Sequence, residues 1–137
     1  MRFMIIVKGN KDTEAGAMPP DEMIAEMADY HEELAKAGAL LDASGLKPTS
    51  TGWRIKYSRG KRIVTDGPFA EAKEVIGGYT LIQVNSREEA LEWTKRFPSP
   101  FGEADGEIEV RQLFEMEDFA PSDGVERFRA LQAARKK

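Results

Sequence analysis

The chain has 137 residues, 41% of them hydrophobic and 32% charged, which fits one soluble domain around a single core. It has no cysteine, so disulfides, thiolate catalysis and Cys-ligated zinc are excluded. Against 24 acidic residues stand 20 basic ones, a net charge of −4, and the basic clusters Lys61-Arg62 and Arg135-Lys136-Lys137 are short. No nucleic-acid partner is expected from such a surface. No apolar run approaches the roughly 20 residues that span a bilayer, so no membrane partner is expected either. "MRFMIIVKG" reads as a first strand rather than a signal peptide, and the expected location is cytoplasmic.

Residues 2–8 are apolar on both faces, Phe3, Ile5 and Val7 on one and Met4 and Ile6 on the other, the pattern of a central strand covered on both sides. A loop with Gly9, Asn10 and Gly16 follows. "MPPDEM" then opens a helix, with Pro20 in the first turn and Asp21 and Glu22 at its positive end. Met23, Met27, Tyr30 and Leu34 recur at helical spacing and predict one buried stripe, ended by Gly38.

"ALLDASGL" predicts a second strand. "WRIKYS" alternates Trp53, Ile55 and Tyr57 against Arg54, Lys56 and Ser58, and Arg59-Gly60 turns it into "KRIVTD", a hairpin. "DGPFAEAKEVIGGY" leads into the strand "GGYTLIQV". Ser86 and Glu89 predict a capping box for a helix with Ala90, Trp93, Thr94 and Phe97 inward, stopped by Pro98 and Pro100. "EIEVRQLFEM" alternates with Ile108, Val110, Phe114 and Met116 on one face. Asp123 and Glu126 cap a thin last helix carrying Val125, Phe128 and Leu131, which docks as an appendage.

The order β-α-β-(β-β)-β-α-β predicts an α+β fold, a ferredoxin-like β-α-β-β-α-β arrangement with an inserted β-hairpin and a C-terminal helix. Right-handed crossovers place both main helices on one sheet face. The other face also carries apolar residues, and each large side chain left wet forgoes about 1.5–3 kcal/mol. A second copy packed sheet to sheet is the expected cover, giving a homodimer.

Asp66–Tyr79 combines a turn with four charged side chains. Gly67 before Pro68 is pushed towards extended backbone, Phe69 anchors the corner, and Gly77-Gly78 permits a bulge or close approach. The stretch reads either as a rigid corner with solvated charges or as the wall of a cleft. "VTDGPFAEAKEVIGGYTLIQV" resembles the signature of the YCII-related family in its DGPF-motif branch. The likeness runs through "EELAKAGALLDASGLKP", "SREEALEWTKRFPSP" and "EIEVRQLFEMEDF". It divides the chain into residues 1–119, the YCII-related ferredoxin-like domain, and a helical appendage at 120–137.

The resemblance implies a dimeric α/β barrel and, for some members of the branch, a sigma-factor-related partner. A His–Asp pair is proposed as catalytic in related proteins, one of which resembles an enzyme dechlorinating an aromatic ring. Carried over, that pair would be Asp66, the motif aspartate, and His31, the only histidine. His31 also fits a packed position at the edge of its helical stripe. The functional expectation is a small polar or aromatic molecule bound in a cleft next to the DGPF turn, with lyase, isomerase or hydrolase acid–base chemistry. The alternative is a non-catalytic dimeric ligand-binding or regulatory module. Gly67, Pro68, Phe69, Glu71, Lys73, Tyr79, Arg54 and Arg111 are the candidate ligand-binding residues. No cofactor is expected, and no recognised metal spacing is present.

Overall fold

The computed structural model describes residues 1–71 and 74–135. Its four-stranded antiparallel sheet has the order β2-β5-β1-β6, with β1 at Arg2–Lys8, β2 at Leu40–Gly45, β5 at Ile76–Gln83 and β6 at Ile108–Gln112. That order, with the crossover helices α2 (Asp21–Lys36) and α3 (Arg87–Lys95), is the ferredoxin-like arrangement. β1 is central as its two apolar rows require, pairing Ile5 with Thr80 on one side and Val110 on the other. The strands β3 (Trp53–Ser58) and β4 (Lys61–Asp66), inserted in chain order between β2 and β5, form a separate two-stranded sheet.

The core lies between the sheet and the two helices. Phe3, Ile5, Ile82 and Val84 meet Tyr30, Leu34 and Ala90, with Leu40, Trp93, Phe97 and Ile108 packed around them. Tyr30 satisfies its hydroxyl by donating to the Trp93 carbonyl at 2.7 Å, and burial raises its pKa to about 12, with Arg96 pulling it down and Glu33 up. Gly38, at φ +72°, takes the left-handed turn that ends α2.

Several local expectations change. Residues 9–20 are not all loop: Asn10 and Thr13 form a reciprocal capping box on a one-turn helix, α1, Lys11–Glu14. Pro20 is the residue before α2 rather than a member of its first turn. At α3 the Ser86 hydroxyl accepts from the Glu89 N–H at 3.1 Å, but Glu89 reaches back to the N–H of Asn85, so the box closes one residue early. The alternation of the last strand stops at Gln112; Phe114 is exposed, and Met116 lies in a 3-10 turn. The final helix α4, Asp123–Arg135, is capped by the Ser122 hydroxyl on Val125 N–H rather than by Asp123. It buries none of its described residues and rests near the turn at 116–118. Two of the C-terminal basic trio, Lys136 and Lys137, lie outside the described residues.

Candidate functional site

On β2 and β5 the helix-facing row of the sheet runs out of side chains at its upper end. Gly78 pairs with Val7 on one side and Gly45 on the other, and a Cβ added at Gly45 would meet nothing within 4 Å. α2 continues past this end, because 16 residues make a helix of about 24 Å. Its first turns overhang glycine where its last turns meet Ile5 and Ile82. Tyr30 and Leu34 are therefore buried, whereas Met23 and Met27, expected in the same buried stripe, are half-exposed. The space beneath them is a cleft of about 910 Å³, closed by the 9–20 segment and by the loop carrying Phe97 and Phe101.

His31 is on the wall of this cleft. Its Nδ1 is 2.7 Å from the Met27 carbonyl and its Nε2 is 2.8 Å from Thr80 Oγ1. A carbonyl only accepts, so Nδ1 carries a proton, and in the tautomer with that proton alone Nε2 accepts from the Thr80 hydroxyl. Tyr30 and Phe97 meet the ring edge-on, at centroid distances of 5.6 and 6.3 Å. The histidine is thus fixed in tautomer and orientation by four neighbours. Thr80, buried in the row of Ile82, did not figure among the candidates; its signal was a hydroxyl standing in an otherwise apolar helix-facing row of "GGYTLIQV".

The DGPF turn lies elsewhere. Asp66 is exposed at the root of the hairpin, opposite Trp53, it does not line the cleft, and no polar contact joins it to His31 among the described residues. The structure does not bring the pair together. Gly67 donates its N–H to the Gly52 carbonyl at 2.9 Å, and a Cβ there would stand 1.8 Å from the Thr49 carbonyl oxygen. Pro68, exposed, follows a cis peptide bond. Phe69 donates its N–H to Thr49 Oγ1 at 3.1 Å, and its half-buried ring lies 3.7 Å beneath the Arg54 guanidinium. Thr49 is held in turn by Glu14, which accepts from its N–H at 3.0 Å and from its hydroxyl.

The corner therefore packs on segment 46–52. Leu46, Lys47 and Pro48 of that segment face the cleft as well as a shallow depression containing Arg54 and Phe69. Glu71 is exposed, and its carbonyl accepts from Glu74 N–H at 2.9 Å; Lys73 lies outside the described residues. Tyr79 contributes to the edge of the cleft, but its hydroxyl donates to Asp42 at 3.1 Å on the helix-free sheet face, and that bond pushes its pKa up. Arg111 is on the same open face, exposed and 4.0 Å from Glu109. No group of three metal-ligating side chains is found among the described residues, nor is any helix there long and apolar enough to cross a membrane.

Fold and site together define an α+β protein of ferredoxin-like topology with an apolar cleft at the glycine-bearing end of its sheet. The chain belongs to the YCII-related family, whose domain matches residues 1–117. An uncharacterised protein of Rhizobium meliloti is 34% identical over 102 residues, 74% of this chain and 82% of that protein. Among solved structures, 5-chloro-2-hydroxyhydroquinone dehydrochlorinase from Burkholderia phenoliruptrix, in complex with 2,5-dihydroxybenzoquinone, is similar at a TM-score of 0.42 and 14% identity. That match covers 83% of this chain and 94% of the other.

Proposed function

We propose that the protein binds a compact, largely apolar molecule with one hydrogen-bonding group in the cleft beneath Met23 and Met27, and that the His31–Thr80 pair anchors that group. The observation that carries this reading is a single oriented imidazole on the wall of a largely apolar cleft, whose lining also includes Asp12, Lys47 and Thr80. The cleft volume of about 910 Å³ lies within the ordinary range for small-molecule sites, which combine apolar walls with few polar groups. A ligand hydroxyl can replace Thr80 at Nε2, or donate to the Thr80 oxygen while that oxygen donates to the ring.

The same geometry favours acid–base chemistry as the reaction the site offers. With Nδ1 tied to a backbone carbonyl, Nε2 is the nitrogen that takes and returns a proton. Asp66 has no part in this scheme; its turn is bonded to Thr49 and Gly52, next to residues 46–48, which form part of the cleft wall. The working assembly is a homodimer in which a second copy covers the helix-free sheet face around the half-exposed Met4 and Leu81.

The test is a thermal-shift screen of compact phenols, quinones and hydroxylated ring acids on the wild type, His31→Asn and Asp66→Asn, followed by crystal soaks. At least one class is expected to stabilise the wild type and Asp66→Asn, to bind His31→Asn at least about tenfold more weakly, and to show density beneath Met27. Binding that survives His31→Asn but fails in Asp66→Asn would move the site to the turn and overturn the reading.

A further inference from the structure

The two faces of the hairpin β3–β4 differ in charge. Arg54 pairs with Thr65, Lys56 with Ile63 and Ser58 with Lys61. That face carries Arg54, Lys56 and Lys61 and no carboxylate, because Asp66, opposite Trp53, belongs to the other face. On a chain of net charge −4 the stripe is a local reversal of sign, able to draw anions along it. It ends at the root of the hairpin, where Arg54 enters the shallow depression beside segment 46–52.

Arg54 is seated there by the DGPF corner. Its guanidinium lies 3.7 Å over the Phe69 ring. Phe69 is fixed in turn, donating its N–H to Thr49 Oγ1 at 3.1 Å, and Thr49 is clamped by Glu14. A guanidinium held over a ring keeps the N–H donors at its edge for a planar oxyanion, which it can grip with two parallel bonds. Among the described residues no acceptor takes any of these donors. Lys47, on the same segment as Thr49, brings a second cation to the depression. Glu74 is the one carboxylate on its lining, and among the described residues it forms an ion pair with neither cation.

The rest of the lining is apolar and wet. Leu46 keeps 49%, Trp53 64% and Ile76 41% of their surface, and all three border this hollow of about 460 Å³. Large apolar side chains left exposed together mark a surface meant to be covered. Beside two cations, the cover that satisfies both halves is a small ring bearing an oxyanion.

We propose that the depression is a second binding site, separate from the cleft, for an aryl oxyanion, an aromatic carboxylate or an aryl phosphate. Arg54 takes the oxyanion edge-on, Lys47 supplies the second positive charge, and Leu46, Trp53 and Ile76 cover the ring. The DGPF corner is then the base on which the anion-binding arginine is set. This site does not require an occupied cleft and does not depend on the His31 reading.

The experiment is titration calorimetry with benzoate, phenyl phosphate, inorganic phosphate and benzyl alcohol, on the wild type, Arg54→Gln, Arg54→Lys, Lys47→Gln and His31→Asn. None of the three anions carries the ring hydroxyl proposed for the His31–Thr80 pair. Circular dichroism and thermal melts check the fold, and Arg54→Lys keeps a cation over Phe69 should the glutamine variant unfold. At least one aryl anion is expected to bind the wild type saturably and less tightly in added salt, with benzyl alcohol and inorganic phosphate both weaker. The tighter of benzoate and phenyl phosphate names the oxyanion. Arg54→Gln should lose at least about tenfold in affinity, and Arg54→Lys, which keeps the charge without the fork, most of that loss. Lys47→Gln should lose less, and His31→Asn should bind as the wild type does. Equal affinity in Arg54→Gln or Arg54→Lys overturns the site, and so does benzyl alcohol binding as tightly as benzoate. A loss in His31→Asn but not in the Arg54 variants would put the anion in the cleft instead. No saturable binding of any aryl anion to the wild type also removes the proposal, and leaves the cleft untouched.

Discussion

Gly67→Ala isolates what the DGPF turn does. The new Cβ would sit 1.8 Å from the Thr49 carbonyl oxygen and 2.6 Å from its carbon, both backbone atoms that no rotamer change can move aside. Thr49 is itself clamped by Glu14, so the turn has to lift off segment 49–52. That movement breaks the Gly67 N–H bond to Gly52 and the Phe69 N–H bond to Thr49, each worth about 1 kcal/mol net, and loosens Phe69 under Arg54. A loss of about 2–4 kcal/mol follows, which for a chain of this size lowers Tm by roughly 6–15 °C. Asp66→Asn, one residue away with an exposed side chain, is expected to stay within about 0.5 kcal/mol of the wild type. Urea melts with matched thermal scans read both. If Gly67→Ala melts with the wild type, the close approach to Thr49 is not a constraint and the corner argument fails.

Glu14→Ala removes the clamp on Thr49 and should cost about 1.5–3 kcal/mol; combined with Gly67→Ala the losses should fall short of additive, because both act through Thr49. Leu34→Ala empties a fully buried position and should cost about 2–5 kcal/mol in the same melts. For Tyr30, whose folded pKa is raised from 10.0 to about 12, the folded state keeps a proton that the unfolded chain releases. The stabilisation is whole below pH 10 and is lost as pH rises through 12, up to roughly 2–3 kcal/mol. Tyr30→Phe should flatten that alkaline loss in urea melts; Tyr79 pushes the same way, so some slope persists, and an unchanged slope would refute the assignment to Tyr30.

Strand order, both main helices and the hairpin were legible because each depends on a strong local pattern: β1's double apolar row, the alternation of "WRIKYS" and the stop at Gly38. The site was less legible because it depends on a mismatch between elements. Met23, Met27, Tyr30 and Leu34 are equivalent on a helical wheel, and only the register with the sheet shows that two of them overhang glycine. Polar side chains drew attention to Asp66, Glu71 and Glu74, where exposure reduces their meaning. The informative polar group was Thr80, a hydroxyl on the buried row. The family likeness pointed at Asp66 and His31 together, but a sequence does not carry the separation of two residues on different elements.

The same mismatch makes the cleft separable from the fold. At most core positions added volume is resisted, because interiors are close-packed. Gly45 is not such a position: it is exposed, it lies in a strand without a left-handed φ, and its missing Cβ faces open space at the cleft. Gly45→Phe places a good strand former there, on the same face as Gly78, its cross-strand partner, the pairing in which an aromatic ring covers a glycine. Stability should hold or rise by about 0.5–1 kcal/mol, since glycine within a strand is itself unfavourable. Ligands that stabilise the wild type should lose at least about tenfold in affinity by calorimetry. A stable variant that still binds them as before would mean that the glycine-floored space is a packing accident and that the ligand site lies elsewhere.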